Sequence, residues 1–405
     1  MCFEGRLSRD GGSVFGWPER ACCVCGRAGW LRSNAAREAE AVRQVVFIAT
    51  HAVDEQDAVI LQHYAKSVRQ MPDVALWLLL FDNGVADVER YAAEVRSSES
   101  MHGLPVGLWG EGDVRRLYPR MHTSLQRSAR NGSIELMGRS RHGPRNRGEM
   151  PTYLRYYYFF HTSLLVWHAV HGHAFPHLKF VWRLEMDVLY AGSRSIGGLV
   201  SQPMRSAHAE WDLLLPDISF RDTDKSVMGA HRDTDDKSYP HWRIAEGVGA
   251  LASRLPDEEA ILRGVPRKQQ AFALVCAGRF SMAFMRLMDA RWKRGVIGYE
   301  EVLLPTTCAT RAAAFAEAPG AGAAPAGSQH ETDTCTMAPL GARAKIGVRR
   351  IRYRPEYVCE DFLAAWRLGT TELWHPIKNR SCYVRALQGE RAALSRHQPL
   401  SGGTP

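Results

Sequence analysis

Two apolar runs of strand length, residues 45–50 and 74–81, constrain the fold of this chain most strongly. Between the two runs, apolar residues recur at helical spacing over residues 54–70. After the second run, residues 85–97 show another helical pattern. The turn residues Asp82-Asn83-Gly84 end the second run. Strands that alternate with helices pair in parallel, because each helix returns the chain to the same edge of the sheet. We therefore expect an α/β fold, with a Rossmann-type, mostly parallel central sheet flanked by helices.

Composition predicts one folded region between two disordered ends. The 405 residues are 45% hydrophobic and 23% charged, which is typical of a globular protein. Residues 1–40 are rich in Gly, Arg, Cys and Ser without periodicity, and we expect a disordered leader there. Residues 41–382 are predicted to form a single domain, interrupted by a disordered insert at 315–343 that is rich in Ala, Gly and Pro. The polar residues 383–405 are predicted to be a disordered tail.

Several further segments have recognisable patterns. Residues 153–171 and 269–292 are predicted to be helices, and the alternation over 346–353 predicts a strand. Within residues 120–150, six Arg are crowded between positions 127 and 147, together with Gly and Pro. This segment is predicted to be an exposed loop, or else a basic lid over a phosphate-bearing ligand.

Glu185 and Asp187 are the first candidates for a functional site. Residues 179–190 form an apolar segment that ends in these two carboxylates and then resumes. Along a strand, residues i and i+2 share a face, so both side chains can contact one object. Carboxylate oxygens suit Mg²⁺ or Mn²⁺, and a cation that carries a diphosphate fits this pattern. The alternative is a pair of solvated carboxylates at the end of a strand.

An internal repeat competes with this pair for the metal. Residues 221–226 and 232–238 share the pattern Arg-Asp-Thr-Asp, and each copy contains D-x-D. We expect no apolar strand to lead into either copy. A metal site needs fixed geometry, which packed strands supply, so we rank the repeat below Glu185 and Asp187.

The nine cysteines leave the redox compartment open. Cys22-x-x-Cys25 matches half of a zinc site, but no second Cys or His pair completes it nearby. The other cysteines are either buried thiols or disulfides.

The net charge of +9 favours anionic partners in general. We expect no nucleic acid partner, because no aromatic residues are interleaved with the Arg of residues 127–147 and no recognition module is present. No run of about 18 apolar residues occurs, so no membrane segment is predicted. Residues 1–40 lack the continuous apolar region of a signal peptide. The sequence does not indicate an oligomeric state.

Three features in chain order carry a resemblance to a known family. They are the E-x-D strand, the turn Gly298-Tyr299-Glu300-Glu301, and the late motif Trp374-His375-Pro376-x-Lys378. Over about residues 45–380, this order resembles glycosyltransferases of the GT-A fold, the nucleotide-diphospho-sugar transferases. The chain has Glu where the D-x-D motif of that family has its first Asp.

The resemblance implies a GT-A-like fold and a metal-dependent transferase. Its donor is a nucleoside-diphosphate sugar and its acceptor is a hydroxyl on a glycan or glycoconjugate. The transferred group is of hexosyl or N-acetylhexosaminyl type, and the implied location is the lumen of the Golgi apparatus. The alternative function is a non-catalytic GT-A-like domain that binds a glycan or a protein.

The resemblance also implies roles for the acidic residues and for one histidine. Glu185, Asp187 and His375 are expected to bind Mn²⁺ or Mg²⁺. Glu301 or Glu300 is expected to be the general base, with one of the two facing the site and the other facing solvent. Glu301 is favoured because it precedes the apolar run at 302–304. The alternative is that both belong to a helix start and complement its dipole.

Donor binding is expected at the carboxyl ends of the first two strands. Thr50, His51 and Asp82 lie there and are predicted to contact the base and ribose, since open α/β sheets bind ligands at this edge. Arg183 and Lys378 are predicted to contact the diphosphate. The alternatives are a structural ion pair for Arg183 and a solvated side chain for Lys378.

Overall fold

The computed structural model describes slightly more than half of the chain. The described residues are 2–3, 6–7, 39–50, 53–81, 88–98, 104–130, 161–191, 195–201, 209–216, 218–220, 265–266, 269–273, 275–296, 300–310, 335–339, 350–353, 359–368, 372–375 and 380–397.

Strands and helices alternate through the first half of these residues. The strands are β1 (Cys2–Phe3), β2 (Arg6–Leu7), β3 (Gln44–Thr50), β4 (Val74–Phe81), β5 (Val106–Trp109), β6 (Phe180–Glu185), β7 (Leu189–Tyr190), β8 (Leu213–Leu215), β9 (Ile218–Phe220), β10 (Ala271–Ala273), β11 (Ala277–Ser281), β12 (Met337–Pro339), β13 (Arg350–Tyr353) and β14 (Glu372–His375). The α-helices are α1 (Glu55–Val68), α2 (Val88–Ser97), α3 (Glu111–Leu117), α4 (Pro119–Arg130), α5 (His161–His171), α6 (Ser195–Ser201), α7 (Met282–Lys293), α8 (Glu300–Ala309), α9 (Cys359–Arg367) and α10 (Ser381–His397), and Gly172–Ala174 form a 3₁₀ turn.

A mixed, mostly parallel sheet forms the centre of the fold. Its seven described strands lie in the order β12-β8-β11-β6-β3-β4-β5. All neighbours pair in parallel except at β11, which is antiparallel to both β6 and β8. Six of the seven described strands therefore run in the same direction. The predicted α/β fold with a mostly parallel sheet and flanking helices is confirmed.

Each face of the sheet is covered by helices, and the strands alternate between two apolar clusters. In β3, Val45 and Phe47 belong to one cluster, and Val46 and Ile48 belong to the other. The first cluster includes residues of α3, α4, α5, α7 and α8, and the second includes residues of α1, α6, α9 and α10. A parallel strand covered on both faces is apolar throughout, which explains the continuous runs in the sequence.

A smaller sheet and a disulfide extend the second face. β14 lies between β13, with which it pairs in parallel, and β7, with which it pairs antiparallel. A disulfide between Cys359 and Cys382 joins the start of α9 to the start of α10. A second disulfide, between Cys308 and Cys335, joins α8 to the residues before β12, and Cys276 is a buried thiol outside any disulfide. Among the described residues, no helix is long and apolar enough to cross a membrane.

The structure corrects the predicted helix over residues 269–292. Only its second part is helical, as α7, while β10 and β11 occupy residues 271–273 and 277–281. Phe280 lies in β11 opposite Val181 of β6. The apolar spacing that indicated one long helix arises because a strand runs directly into a helix at Ser281. Its hydroxyl accepts a hydrogen bond from the Phe284 amide and caps α7.

Three segments predicted to be irregular contain regular elements. Helix α4 occupies the first part of the predicted loop at 120–150, and Met121 is buried on it. β12 lies in the predicted insert at 315–343 and pairs with β8. Helix α10 continues into the predicted tail at 383–405, where Tyr383 and Leu387 are buried. In the predicted leader, β1 pairs with β2, and most of the leader lies outside the described residues. The repeat at 221–238 also lies outside them, but β9 ends at Phe220, so a strand does lead into its first copy, contrary to the expectation.

A partly buried histidine makes the stability depend on pH. Burial, together with the charge of the nearby His173, lowers the pKa of His171 to about 4. Its ring packs on Trp77 with the ring centres 4.7 Å apart. The unfolded chain binds the proton more tightly, so the stabilisation is complete above an unfolded pKa of about 6.5 and is lost as the pH falls toward 4.

We expect the free energy of unfolding to fall by about 2 kcal/mol between about pH 7.5 and pH 5 because of His171. The His171→Gln variant should show a shallower dependence, measured by urea unfolding across this range. His177→Gln, at an exposed position of the same segment, is the matched control and should keep the wild-type slope. Equal slopes in all three proteins would contradict the prediction.

Candidate functional site

The carboxyl ends of the central parallel strands meet at one edge of the sheet. β3 pairs with β6 so that Ala49 lies opposite Glu185, and β3 pairs with β4 so that Thr50 lies opposite Leu80. Thr50 and Glu185 therefore end neighbouring strands at the same level. Open α/β sheets bind their ligands outside this edge.

Asp187 lies in a turn, whereas Glu185 ends the strand. β6 stops at Glu185, and the Val188 amide donates to the Glu185 carbonyl oxygen at 3.1 Å, which closes a four-residue turn. The two carboxylates were predicted to share one face because side chains alternate along a strand. The strand ends at Glu185, so this alternation does not extend to Asp187. Asp187 is buried and the side chain of Glu185 is partly exposed.

Arg183 links Glu185 to the start of helix α8. Its Nη2 lies 3.3 Å from Oε1 of Glu185, and its Nη1 lies 3.1 Å from Oε2 of Glu300. Nη1 also donates to the carbonyl oxygen of Val275 at 3.2 Å. The guanidinium has no exposed surface. Such a guanidinium contacts no ligand in this conformation, so its geometry favours the structural ion pair over the predicted diphosphate contact.

Helix α8 is fixed against β10, which pairs with β9 outside the central sheet. Thr306 accepts a hydrogen bond from the Ala271 amide and donates one to the Ala271 carbonyl oxygen, both at 2.9 Å. Helix α8 begins at Glu300, so Glu300 and Glu301 lie at the start of a helix. This position agrees with the alternative interpretation, in which the two carboxylates complement the helix dipole. Glu300 and Glu301 are both buried, which corrects the expectation that one of them faces solvent. Residues 302–304, which follow the two carboxylates, are buried in the first apolar cluster. The first turn of α8 therefore lies in the protein interior.

The register of the small sheet places position 375 beside the acidic turn. Leu373 lies opposite Tyr190 and Trp374 opposite Leu189, so one further step sets position 375 opposite Val188. The last residue of β14 is therefore adjacent, along the backbone, to the turn that carries Asp187. His51, Asp82 and Lys378 lie outside the described residues.

The segment after β3 is held by contacts from two distant parts of the chain. Asp54 and Asp57 form a capping box at the start of α1. Arg380 donates from Nε to Oδ1 of Asp57 at 2.8 Å. Burial raises the pKa of Asp57 above its usual range, and the charge of Arg380 opposes this shift. The Val53 amide donates to the Tyr91 hydroxyl at 2.7 Å.

Asp57 and Arg380 were missed by the sequence analysis. The spacing of Asp54 and Asp57 before a helical pattern is a capping-box signal that was available. Arg380 gave no such signal, because its partner is 323 positions away. These residues hold the chain at the edge where Thr50 ends β3.

A complete metal-binding group is not present among the described side chains. No three His, Cys, Asp or Glu residues of this set form a cluster that could hold a metal ion. The side chain of His375 does not belong to the set. The predicted ligand group of Glu185, Asp187 and His375 therefore stays a prediction, as do the roles of Glu300, Glu301, Thr50 and Arg183.

Comparison with known proteins gives distant similarity, and only to solved structures. No protein-family model and no curated protein matches the chain. Among solved structures, the chain is similar to the mannosyltransferase Ktr4p from S. cerevisiae in complex with GDP. The two are 9% identical with a TM-score of 0.33, and the similarity covers 69% of this chain and 72% of that chain. The fold of this chain is therefore defined by its own strands and helices and not by this similarity.

We expect Asp57 and Arg380 to stabilise each other measurably. In a double-mutant cycle with Asp57→Asn and Arg380→Met, the coupling free energy should be about 0.5–3 kcal/mol, because the pair is largely buried. Urea unfolding of the four proteins measures it. The pair Arg90 and Glu94, which is exposed on α2, is the matched control and should give a smaller coupling. Equal couplings would contradict the prediction.

Proposed function

We propose that this chain is a metal-dependent glycosyltransferase of GT-A type. It transfers a sugar, of hexosyl or N-acetylhexosaminyl type, from a nucleoside-diphosphate donor to a hydroxyl on a glycan or glycoconjugate. The observation that carries the proposal is the position of the acidic turn. Strand pairing brings Glu185, Asp187 and position 375 to the edge of the sheet where α/β folds bind ligands.

The residues at this edge fit a hard divalent cation. Glu185 and Asp187 offer carboxylate oxygens, and His375 would add an imidazole nitrogen, a mixed set that suits Mn²⁺. Arg183 brings one positive charge to the two negative charges of Glu185 and Glu300, so these three residues carry a net charge of −1. When bound, the cation would stabilise the negative charge of the departing nucleoside diphosphate.

Glu301 is the proposed general base, and Glu300 is the second candidate. A hydroxyl attacks faster when a positioned carboxylate accepts its proton, typically by about 10²–10⁴-fold. Glu301 is held in the first turn of α8, next to the ion pair that joins Glu300 to Arg183. A carboxylate fixed in this way needs little reorganisation to accept the proton.

Donor binding is proposed along the ends of β3 and β4. Thr50 ends β3, and His51 follows it in the sequence, as Asp82 follows β4. These residues would contact the base and ribose, while Lys378 would contact the diphosphate. The contacts of Val53 with Tyr91 and of Asp57 with Arg380 hold the start of α1 close to Thr50.

An oxidising compartment accords with this function. The disulfides Cys308–Cys335 and Cys359–Cys382 are typical of proteins in secretory or extracellular compartments. The lumen of the Golgi apparatus, where the implied family acts, belongs to this group.

We expect the protein to bind a nucleoside diphosphate only when Mn²⁺ or Mg²⁺ is present. Thermal-shift titrations with GDP and with UDP should each be run with the metal and with a chelator. Asp187→Ala should remove the metal-dependent shift, because it removes a carboxylate ligand. Glu210→Gln changes an exposed carboxylate elsewhere and should leave the shift unchanged.

Two results would count against this assignment in different ways. If Asp222→Ala or Asp233→Ala removes the shift and Asp187→Ala does not, the metal belongs to the repeat. If the wild-type protein shows no metal-dependent shift with either nucleotide, the catalytic function fails. A non-catalytic domain that binds a glycan or a protein would then be the better description.

The Glu301→Gln variant should lower kcat by about 10²–10⁴-fold and leave the KM for the donor nearly unchanged. Glutamine keeps the size of the side chain but cannot accept the proton. The measurement is steady-state transfer, with the donor and acceptor found by screening. A wild-type kcat in this variant would exclude Glu301 as the base.

A further inference from the structure

The guanidinium of Arg183 is the point at which three separate segments of the site meet. It contacts Glu185 at the end of β6, the carbonyl oxygen of Val275 before β11, and Glu300 at the start of α8. The Glu185 amide also donates to the Cys276 carbonyl oxygen at 2.9 Å, so the backbone at this point is fixed as well. The side chain of Arg183 is fully buried, whereas that of Glu185 is 26% exposed.

We infer that Arg183 and Glu300 are positioning residues that orient Glu185 toward the bound cation and fix the turn that carries Glu301. This inference rests on the proposed function, and it assigns to Arg183 and Glu300 roles other than diphosphate ligand and general base. Arg183 touches neither the cation nor the substrate. It acts through Glu185 on one side and through helix α8 on the other.

The burial of Arg183 separates it from any ligand. A phosphate oxygen has to approach a guanidinium nitrogen to about 3 Å to accept its hydrogen bond. A side chain with no exposed surface is not reached in this way. Glu185, by contrast, keeps one oxygen on Arg183 and has partly exposed surface at the edge of the sheet.

The planar guanidinium explains why an arginine occupies this position. Its two terminal nitrogens point in fixed directions, so Nη2 holds Glu185 while Nη1 holds Glu300. Lysine has a single ammonium at the end of a flexible chain and would not fix two carboxylates at a set angle. Residues that orient metal ligands typically change metal affinity by about 10–100-fold when they are replaced.

The test measures the binding of Mn²⁺ alone, without activity. Free Mn²⁺ is followed by electron paramagnetic resonance during titration of the wild-type protein, Arg183→Lys and Arg183→Met. We expect affinity to fall by about 10–100-fold in both variants. Arg279→Met is the matched control, because Arg279 is also fully buried, on the neighbouring strand β11, over the ring of Phe180 at 4.1 Å. It should keep the wild-type affinity.

Glu300 gives a second, conservative pair of variants. Glu300→Gln keeps an oxygen that accepts from Nη1 of Arg183, so it should retain Mn²⁺ affinity within about threefold. Glu300→Ala removes that oxygen and should lose affinity as the Arg183 variants do. A kcat lowered by 10²-fold or more in Glu300→Gln, with unchanged Mn²⁺ affinity, would instead make Glu300 the general base and overturn its positioning role.

The outcomes separate this inference from the function on which it rests. If the wild-type protein does not bind Mn²⁺, the proposed function fails and the inference fails with it. If the wild-type protein binds Mn²⁺ and the folded Arg183 variants bind it equally well, the inference alone is overturned. Should both Arg183 variants fail to fold, wild-type affinity in Glu300→Ala would overturn it.

Discussion

A charged side chain inside a strand that is buried on both faces constrains the arrangement of this site. β6 lies between β11 and β3, and its residues 181, 182 and 184 are fully buried in the two apolar clusters. Arg183 lies on the same face as Val181, toward the cluster that contains helix α8. A buried charge is costly unless it is paired and hydrogen-bonded, so carboxylates have to reach Arg183 within the protein. Glu185 comes from the strand itself, and Glu300 is supplied by the start of α8.

The position of α8 follows from this requirement together with two other contacts. Thr306 hydrogen-bonds both backbone groups of Ala271, and Cys308 is joined to Cys335. The helix is thus fixed near its first, second and last turns by an ion pair, a pair of hydrogen bonds and a disulfide. These contacts fix the backbone that carries Glu301, and a fixed backbone is the preorganisation that the proposed role of Glu301 requires.

The sequence was sufficient for the central strands and insufficient for the contacts between distant segments. The apolar runs at β3, β4 and β6 predicted the parallel sheet, because strands covered on both faces have no polar alternation. Residues 269–292 were misjudged because a short strand followed at once by a helix has mixed periodicity. Helix α10 was missed because the many polar residues after Cys382 were taken as a disordered tail. The ion pair between Arg183 and Glu300 spans 117 positions, and no local pattern indicates it.

The difference between Glu185 and Asp187 shows how a motif is divided between two structural roles. Both were predicted to share one face of a strand, but the strand ends at Glu185, where the parallel register with β3 also ends. Asp187 follows in a turn whose next residues, β7, pair with β14. The first carboxylate is therefore oriented by the large sheet and by Arg183, and the second by the small sheet. Because two separately anchored sheets meet at this turn, a cation bound between the two carboxylates would join them, and its affinity would depend on both.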